Sequence, residues 1–233
     1  ANFKGALKKV ESGDYRTALV FLTSLRDKAG GRMDDRLLAL EKIALCQKRL
    51  GAYGEALATL EEMSAEAQAS AQRENLLWEL ASLKATHLNR VADAEEDLRI
   101  YLQVYPGGIW SEEAYLKLAE LERREAKDSS AVETYLAFVG RFPAHPQADE
   151  ALYNAAFILS QGNDCMSAVS LYGRFAQQYS SSKFLGNAIF WRAECFTRLG
   201  RIAEAQVEYN RYLTLFPQGR FREETLERIA KRD

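Results

Sequence analysis

The chain has 233 residues, 47% of them apolar and 27% charged, which is the balance of a folded globular protein and excludes a disordered one. Its 31 basic and 33 acidic side chains leave a net charge of −2, excluding the strong overall cation of a general nucleic-acid binder. Only 4 prolines and 14 glycines exclude a linker-rich or all-β chain, and no run approaches the roughly 18 apolar residues of a membrane span. Hydrophobic periodicity then predicts helices near 2–12, 15–29, 34–50, 53–69, 72–88, 91–104, 110–125, 128–141, 147–161, 165–179, 183–199, 202–215 and 220–231.

The helices pair because the sequence repeats. Six alanines, Ala18, Ala56, Ala94, Ala131, Ala168 and Ala205, recur at spacings of 38, 38, 37, 37 and 37. Five residues before each stands Gly13, Gly51, Asn89, Ala126, Asn163 or Gly200, mostly types that tolerate the left-handed backbone ending a helix. Twelve before the last five anchors comes Ala44, Ser82, Ala119, Ala156 or Ala193, small enough for two helix backbones to approach. Large residues follow at four and seven after the anchor, including Leu60, Tyr135, Tyr172 and Tyr209, then Met63, Tyr101, Phe138, Phe175 and Tyr212. They form one helical stripe. Tyr105-Pro106, Phe142-Pro143 and Phe216-Pro217 stop the second helix of a pair, whereas the fifth repeat reads Tyr179-Ser180. An aromatic recurs in the following turn, at Trp110, Phe184 and Phe221, with Gln147 the exception; it reads as a packing residue at the start of the next helix.

A single hairpin cannot bury its stripe, so the expectation is one domain over 1–233: an all-α, right-handed α-solenoid of about six helix–turn–helix repeats of 37–38 residues. Residues 218–233 are expected to form a capping helix, its polar face supplied by Arg220, Arg222, Glu223, Glu224, Arg228, Lys231 and Arg232.

This pattern resembles the tetratricopeptide repeat family along nearly the whole chain. Gly51-Ala52-Tyr53-Gly54-Glu55-Ala56 and Gly200-Arg201-Ile202-Ala203-Glu204-Ala205 carry the likeness to that family's turn and second helix. Repeats there usually run about 34 residues, so these are longer by close to one helical turn. The longer form is similar to bacterial envelope repeat proteins of the BamD and YbgF (CpoB) type, through Phe142-Pro143-Ala144-His145-Pro146-Gln147-Ala148-Asp149-Glu150-Ala151-Leu152-Tyr153 and its echo Phe216-Pro217-Gln218-Gly219-Arg220-Phe221. A lipid-modified N-terminal cysteine and a trimerising coiled coil, features of those proteins, are not found in this sequence. The opening Ala1-Asn2-Phe3-Lys4 is neither a signal peptide nor an initiator Met, and reads as a processed or excised chain.

Chemistry-bearing strings are missing. No H-E-x-x-H, G-x-S-x-G or phosphate-binding glycine loop occurs, and His87 and His145 read as structural, so the expectation is a non-enzyme without cofactor or metal. Cys46, Cys165 and Cys195 form no C-x-x-C pair and read as buried free thiols. The acidic clusters Glu95-Glu96-Asp97, Glu112-Glu113 and Glu120/Glu122/Glu125 read mostly as solvated faces, without the glycine-containing string of a calcium loop.

A partner is expected on the first helices, which line the concave groove in the family resembled. Helical spacing selects Tyr153, Asn154, Phe157 and Gln161 in the fifth repeat, Asn187, Phe190 and Arg198 in the sixth, and Leu116 and Glu120 in the fourth. In the second repeat it selects Leu38, Glu41, Leu45, Lys48 and Arg49. Rings beside amides suit capture of a peptide, while the same rings also suit an inter-repeat core. The Lys and Asn clamp that some family members use for a C-terminal carboxylate is not evident. The resulting expectation is a scaffold for a protein or peptide partner, with no nucleic acid and with homo-oligomerisation open. Its setting would be the bacterial periplasm or outer membrane, in envelope assembly or division, or alternatively the cytoplasm. A recruitment domain of a larger protein and an RNA-reading helical repeat are the competing readings.

Overall fold

A computed structural model describes residues 3–28, 33–66 and 70–230. Within them are thirteen α-helices and no strand: α1 (Phe3–Glu11), α2 (Tyr15–Lys28), α3 (Met33–Arg49), α4 (Tyr53–Glu66), α5 (Ser70–Thr86), α6 (Val91–Val104), α7 (Ser111–Arg124), α8 (Asp128–Arg141), α9 (Ala148–Gln161), α10 (Cys165–Gln178), α11 (Leu185–Arg198), α12 (Ile202–Leu215) and α13 (Arg222–Ala230). Each expected helix is present within about two residues. The expected helix residues 2, 29, 67–69 and 231, and the cap residues Lys231 and Arg232, lie outside the described residues. The chain resolves into two compact units, Ala1–Ala114 and Tyr115–Asp233, divided inside α7.

The periodic residues do the same job in each hairpin. All six anchor alanines are fully buried. All six residues five positions earlier have positive φ: 77° at Gly13, 77° at Gly51, 51° at Asn89, 54° at Ala126, 67° at Asn163 and 72° at Gly200. The residue after them donates its N–H back into the preceding helix, as Lys127 does to the Glu122 carbonyl at 2.8 Å and Arg201 to the Phe196 carbonyl at 2.9 Å. These bonds satisfy carbonyls that a helix end would otherwise leave bare. At the other end of the hairpins, Tyr105, Phe142 and Phe216 leave helical ψ just before their prolines. Tyr179 adopts the same geometry before Ser180, so the aromatic closes the helix without a proline.

In the unit of residues 1–114, α1, α2 and α3 bury Ala6, Ala18, Leu22, Ile43 and Cys46, while α3, α4 and α5 bury a leucine-rich cluster with Met63. A buried Thr59 hydroxyl donates to Gln47 at 2.8 Å, tying α4 to α3. In the unit of residues 115–233, one cluster from Ala119 to Tyr212 holds the side chains together, and it is dense in rings. Here Thr134 repeats the Thr59 contact, donating to Glu122 at 2.7 Å. The threonine three after the anchor and its partner nine before it are a polar staple that the apolar pattern did not reveal.

Candidate functional site

The first helices of the 115–233 unit carry the residues expected to meet a partner, and the structure divides them. Phe190 is 1% exposed, its ring stacked on Phe221 with centroids 4.2 Å apart and planes at 4°. It is a core ring and presents no surface, which corrects the expectation for this position. The physical reason is that the turn aromatic before α13 folds back onto it. Tyr153 behaves similarly: it is 9% exposed and stacks on Phe184 at 5.1 Å. Burial pushes the Tyr153 hydroxyl above the ordinary tyrosine value, against the opposing hydrogen bonds of Asn187 and Trp191. The turn aromatics are therefore rungs of an inter-repeat ladder, and two of the three proposed groove rings belong to it.

What remains open is narrower. Phe157 is half-buried, stacked on Tyr153 at 5.9 Å and edge-on to Trp191 at 5.5 Å. Asn154 and Asn187 are half-buried, facing the hydroxyls of Tyr135 and Tyr153. Gln161 is exposed at the end of α9. Leu116 is half-buried, and Glu120 is exposed and paired with Lys117 at 3.1 Å. Arg198 is exposed but committed, one of its N–H groups donating to the Ser160 carbonyl at 2.6 Å. It links the ends of α11 and α9.

Two further residues complete the face, Trp191, which the sequence reading passed over, and Arg228, which it placed on the solvated side of the capping helix. Trp191 meets Phe157 thirty-four positions earlier, and Arg228 meets Glu194 across the same interval. The repeat thus reuses one contact, once as rings and once as ions. Arg228 of α13 donates to Glu194 at 2.8 and 3.2 Å, and the Tyr209 hydroxyl donates to the same carboxylate. Burial alone would raise the Glu194 pKa, but Arg228 and Tyr209 outweigh it and hold the carboxyl below the ordinary glutamate value. The capping helix therefore occupies the face of the sixth repeat. The equal spacing was a readable signal for both pairs.

The remaining chemistry-bearing residues have structural surroundings. His87 stacks on Tyr53 at 3.9 Å, and His145 stands edge-on to Phe138 while its Nδ1 accepts from the Gln147 N–H. Cys46, Cys165 and Cys195 are buried free thiols. Burial, and the Cys165 thiol beside it, push the Cys195 thiol well above its ordinary value. Among the described residues no group of three or more His, Cys, Asp or Glu gathers as a metal site, and no helix is long and apolar enough to cross a membrane.

Comparison with known proteins agrees with the helical-repeat fold. The sequence model of the tetratricopeptide repeat matches three times, at residues 113–145, 150–182 and 187–219. No curated protein sequence matches the chain. Among solved structures, the chain is similar to a tetratricopeptide repeat protein from Parabacteroides merdae, at 16% identity and TM-score 0.57, covering 91% of this chain and 77% of that one. It is also similar to YrrB, described as a TPR protein with an unusual peptide-binding site, at 11% identity and TM-score 0.55, covering 87% and 97%. BtubC (BKLC) from P. vanneervenii superposes with TM-score 0.51 at 13% identity, covering 89% of each chain. The fold is that of tetratricopeptide repeats, and the three matched repeats carry the face described above.

Proposed function

We propose that the chain is a non-catalytic scaffold that holds a segment of a partner protein on the first helices of its fourth to sixth repeats. The observation carrying this reading is what the ring ladder leaves over. Asn154, Phe157 and Gln161 on α9, with Trp191 on α11, keep rings and amides part-exposed on one face, beside Leu116 and Glu120 on α7. Rings provide contact area at little entropic cost, and amides pair with an extended backbone. The peptide-binding site described for YrrB, which has the same fold, supports the reading.

Affinity capture from native extract tests it, with wild type compared with Phe157→Ala/Gln161→Ala and both checked by circular dichroism. Loss of partners from a folded double variant is expected. Retention of every partner would overturn the reading. A bacterial envelope setting belongs to the same proposal, supported by the 37-residue period and the Phe-Pro strings at 142–153 and 216–221. Cell fractionation checks that part: recovery in the cytosolic fraction alone rejects it.

A further inference from the structure

The ring ladder has a gap, and the gap is a cleft. In the fifth and sixth repeats, the residue fifteen before the anchor is a ring, Tyr153 or Phe190, and the turn aromatic that follows the repeat stacks on it. Phe221 also lies 6.3 Å from Tyr212, the residue seven after that anchor. In the 1–114 unit the corresponding residues of the second repeat are Glu41 and Met63, and the residue corresponding to Phe184 is Arg73, which is exposed. No ring stands at these three positions, and the stack that does cross this junction, Tyr53 on His87 at 3.9 Å, lies at the start of α4 and just past the end of α5. A cleft of about 440 Å³ opens there between α3 and α5, with both Glu41 and Met63 in its wall. Where Gln147 interrupts the ladder in the other unit, Tyr115 and Phe142 pack edge to face instead, at 6.3 Å.

The cleft has two chemical layers. Leu37, Leu60, Met63 and Leu76 are buried and form an apolar floor, with Leu38 38% exposed at the rim. Above them stand Asp34, Glu41 and Glu79, and no lysine or arginine lines the wall among the described residues. Lys42 pairs with Glu41 at 2.6 Å and Lys48 with Glu79 at 2.9 Å, from outside the wall. The mouth is extended because α3 and α5 each run 17 residues, against 14 for α7, α9 and α11. Asp34 and Gln72 sit on the additional first turn.

We propose that this cleft is a docking site for an aromatic side chain of a partner segment, flanked in that segment by lysine or arginine. The ring takes the place that Phe184 and Phe221 take elsewhere in the chain, against leucines and the Met63 thioether, a favourable ring neighbour. The flanking cations meet Glu41, Glu79 and Asp34, which disfavour an acidic segment by like-charge repulsion. This rests on the scaffold reading but uses residues of the 1–114 unit, none of them among those of the 115–233 unit, so the two fail separately.

Titration calorimetry of the full chain tests it, with three acetylated, amidated ten-residue peptides that differ only at the centre: Lys-Trp-Lys, Lys-Ala-Lys and Asp-Trp-Asp. The first is expected to bind about tenfold more tightly than either other peptide, and more weakly as salt rises. Arg73→Phe supplies the missing ring from within and is expected to abolish binding while raising the melting temperature. Should that variant misfold, the surface pair Glu41→Lys/Glu79→Lys is expected to transfer the preference to Asp-Trp-Asp. Equal binding of the three peptides, no binding by wild type, or a charge-reversed pair with unchanged preference each overturns the proposal. Partners still captured through Phe157 and Gln161 in those cases leave the scaffold reading standing and remove only the cleft.

Discussion

The two units solve the same packing problem with different side chains. Over α1 to α5 the 1–114 unit buries aliphatic side chains in two clusters, its rings coming only later, with Tyr101 buried on α6 and Trp110 stacked on Trp78 at 5.6 Å, whereas the 115–233 unit buries Tyr135, Phe138, Tyr153, Tyr172, Phe175, Phe190, Tyr209 and Tyr212 in one cluster. The anchors and turns are alike in both, so the hairpin does not depend on the rings. What the rings add is closure of the junctions after the fifth and sixth repeats, where a turn aromatic reaches back onto the preceding repeat. The three matched tetratricopeptide repeats begin at residue 113, next to the start of the ring-rich unit. Regular spacing and regular rings are separable properties of one repeat.

The comparison breaks most readily at its densest rung. Phe190→Ala removes a ring touching Phe221, Trp191, Tyr209 and Tyr212, and should destabilise the 115–233 unit by about 3–5 kcal/mol in urea unfolding. A loss below about 1 kcal/mol would mean the ladder is ornamental. Next comes the ionic version of the same contact. Arg228→Gln should cost about 1.5–3 kcal/mol at neutral pH, the range for hydrogen bonds to charged groups. The sign with pH is fixed by Glu194, whose folded pKa lies below the ordinary 4.5. Its stabilisation is complete above that value and is lost as pH falls through the folded pKa. The gap between wild type and Arg228→Gln should therefore narrow in acid, and a gap that widens below pH 4.5 refutes the assignment.

Smaller effects sharpen the shared part of the comparison. Gly200 has φ of 72° with nothing within 4 Å of an added Cβ, so Gly200→Ala pays only backbone strain, roughly 1 kcal/mol. Ala126 already bears that strain at φ of 54°, and Ala126→Gly should stabilise by about the same amount. Thermal melts of both variants check the opposite signs. Last, alkylation should leave Cys46, Cys165 and Cys195 unmodified in the native protein and label all three after urea, read by mass spectrometry.

The fold was legible because its determinants are local and repeated. A small anchor, a left-handed turn five residues earlier and a stripe at four and seven residues after can all be counted along the chain. The site was less legible because a ring on a first helix looks the same whether it faces solvent or a neighbouring turn. Phe190 and Tyr153 were decided by Phe221 and Phe184, thirty-one residues further on. Arg198 looked available until its bond to the Ser160 carbonyl was seen. The α3–α5 cleft did leave a sequence signal in the absence of rings at Glu41 and Arg73, with a further acid at Glu79, but a missing residue type marks a cavity only once its neighbours are known.

The reach of the contacts has a consequence for synthesis. Within each unit the bonds between hairpins span about one repeat, 38 residues from Arg198 to Ser160, 36 from Tyr179 to Pro143 and 34 from Arg228 to Glu194. A growing chain therefore never waits for a distant segment: each hairpin finds its whole environment once the following repeat leaves the ribosome. The leucine-rich hairpins of α1 to α5 emerge before the ring-rich ones, so each ring junction closes onto a hairpin that has already been made.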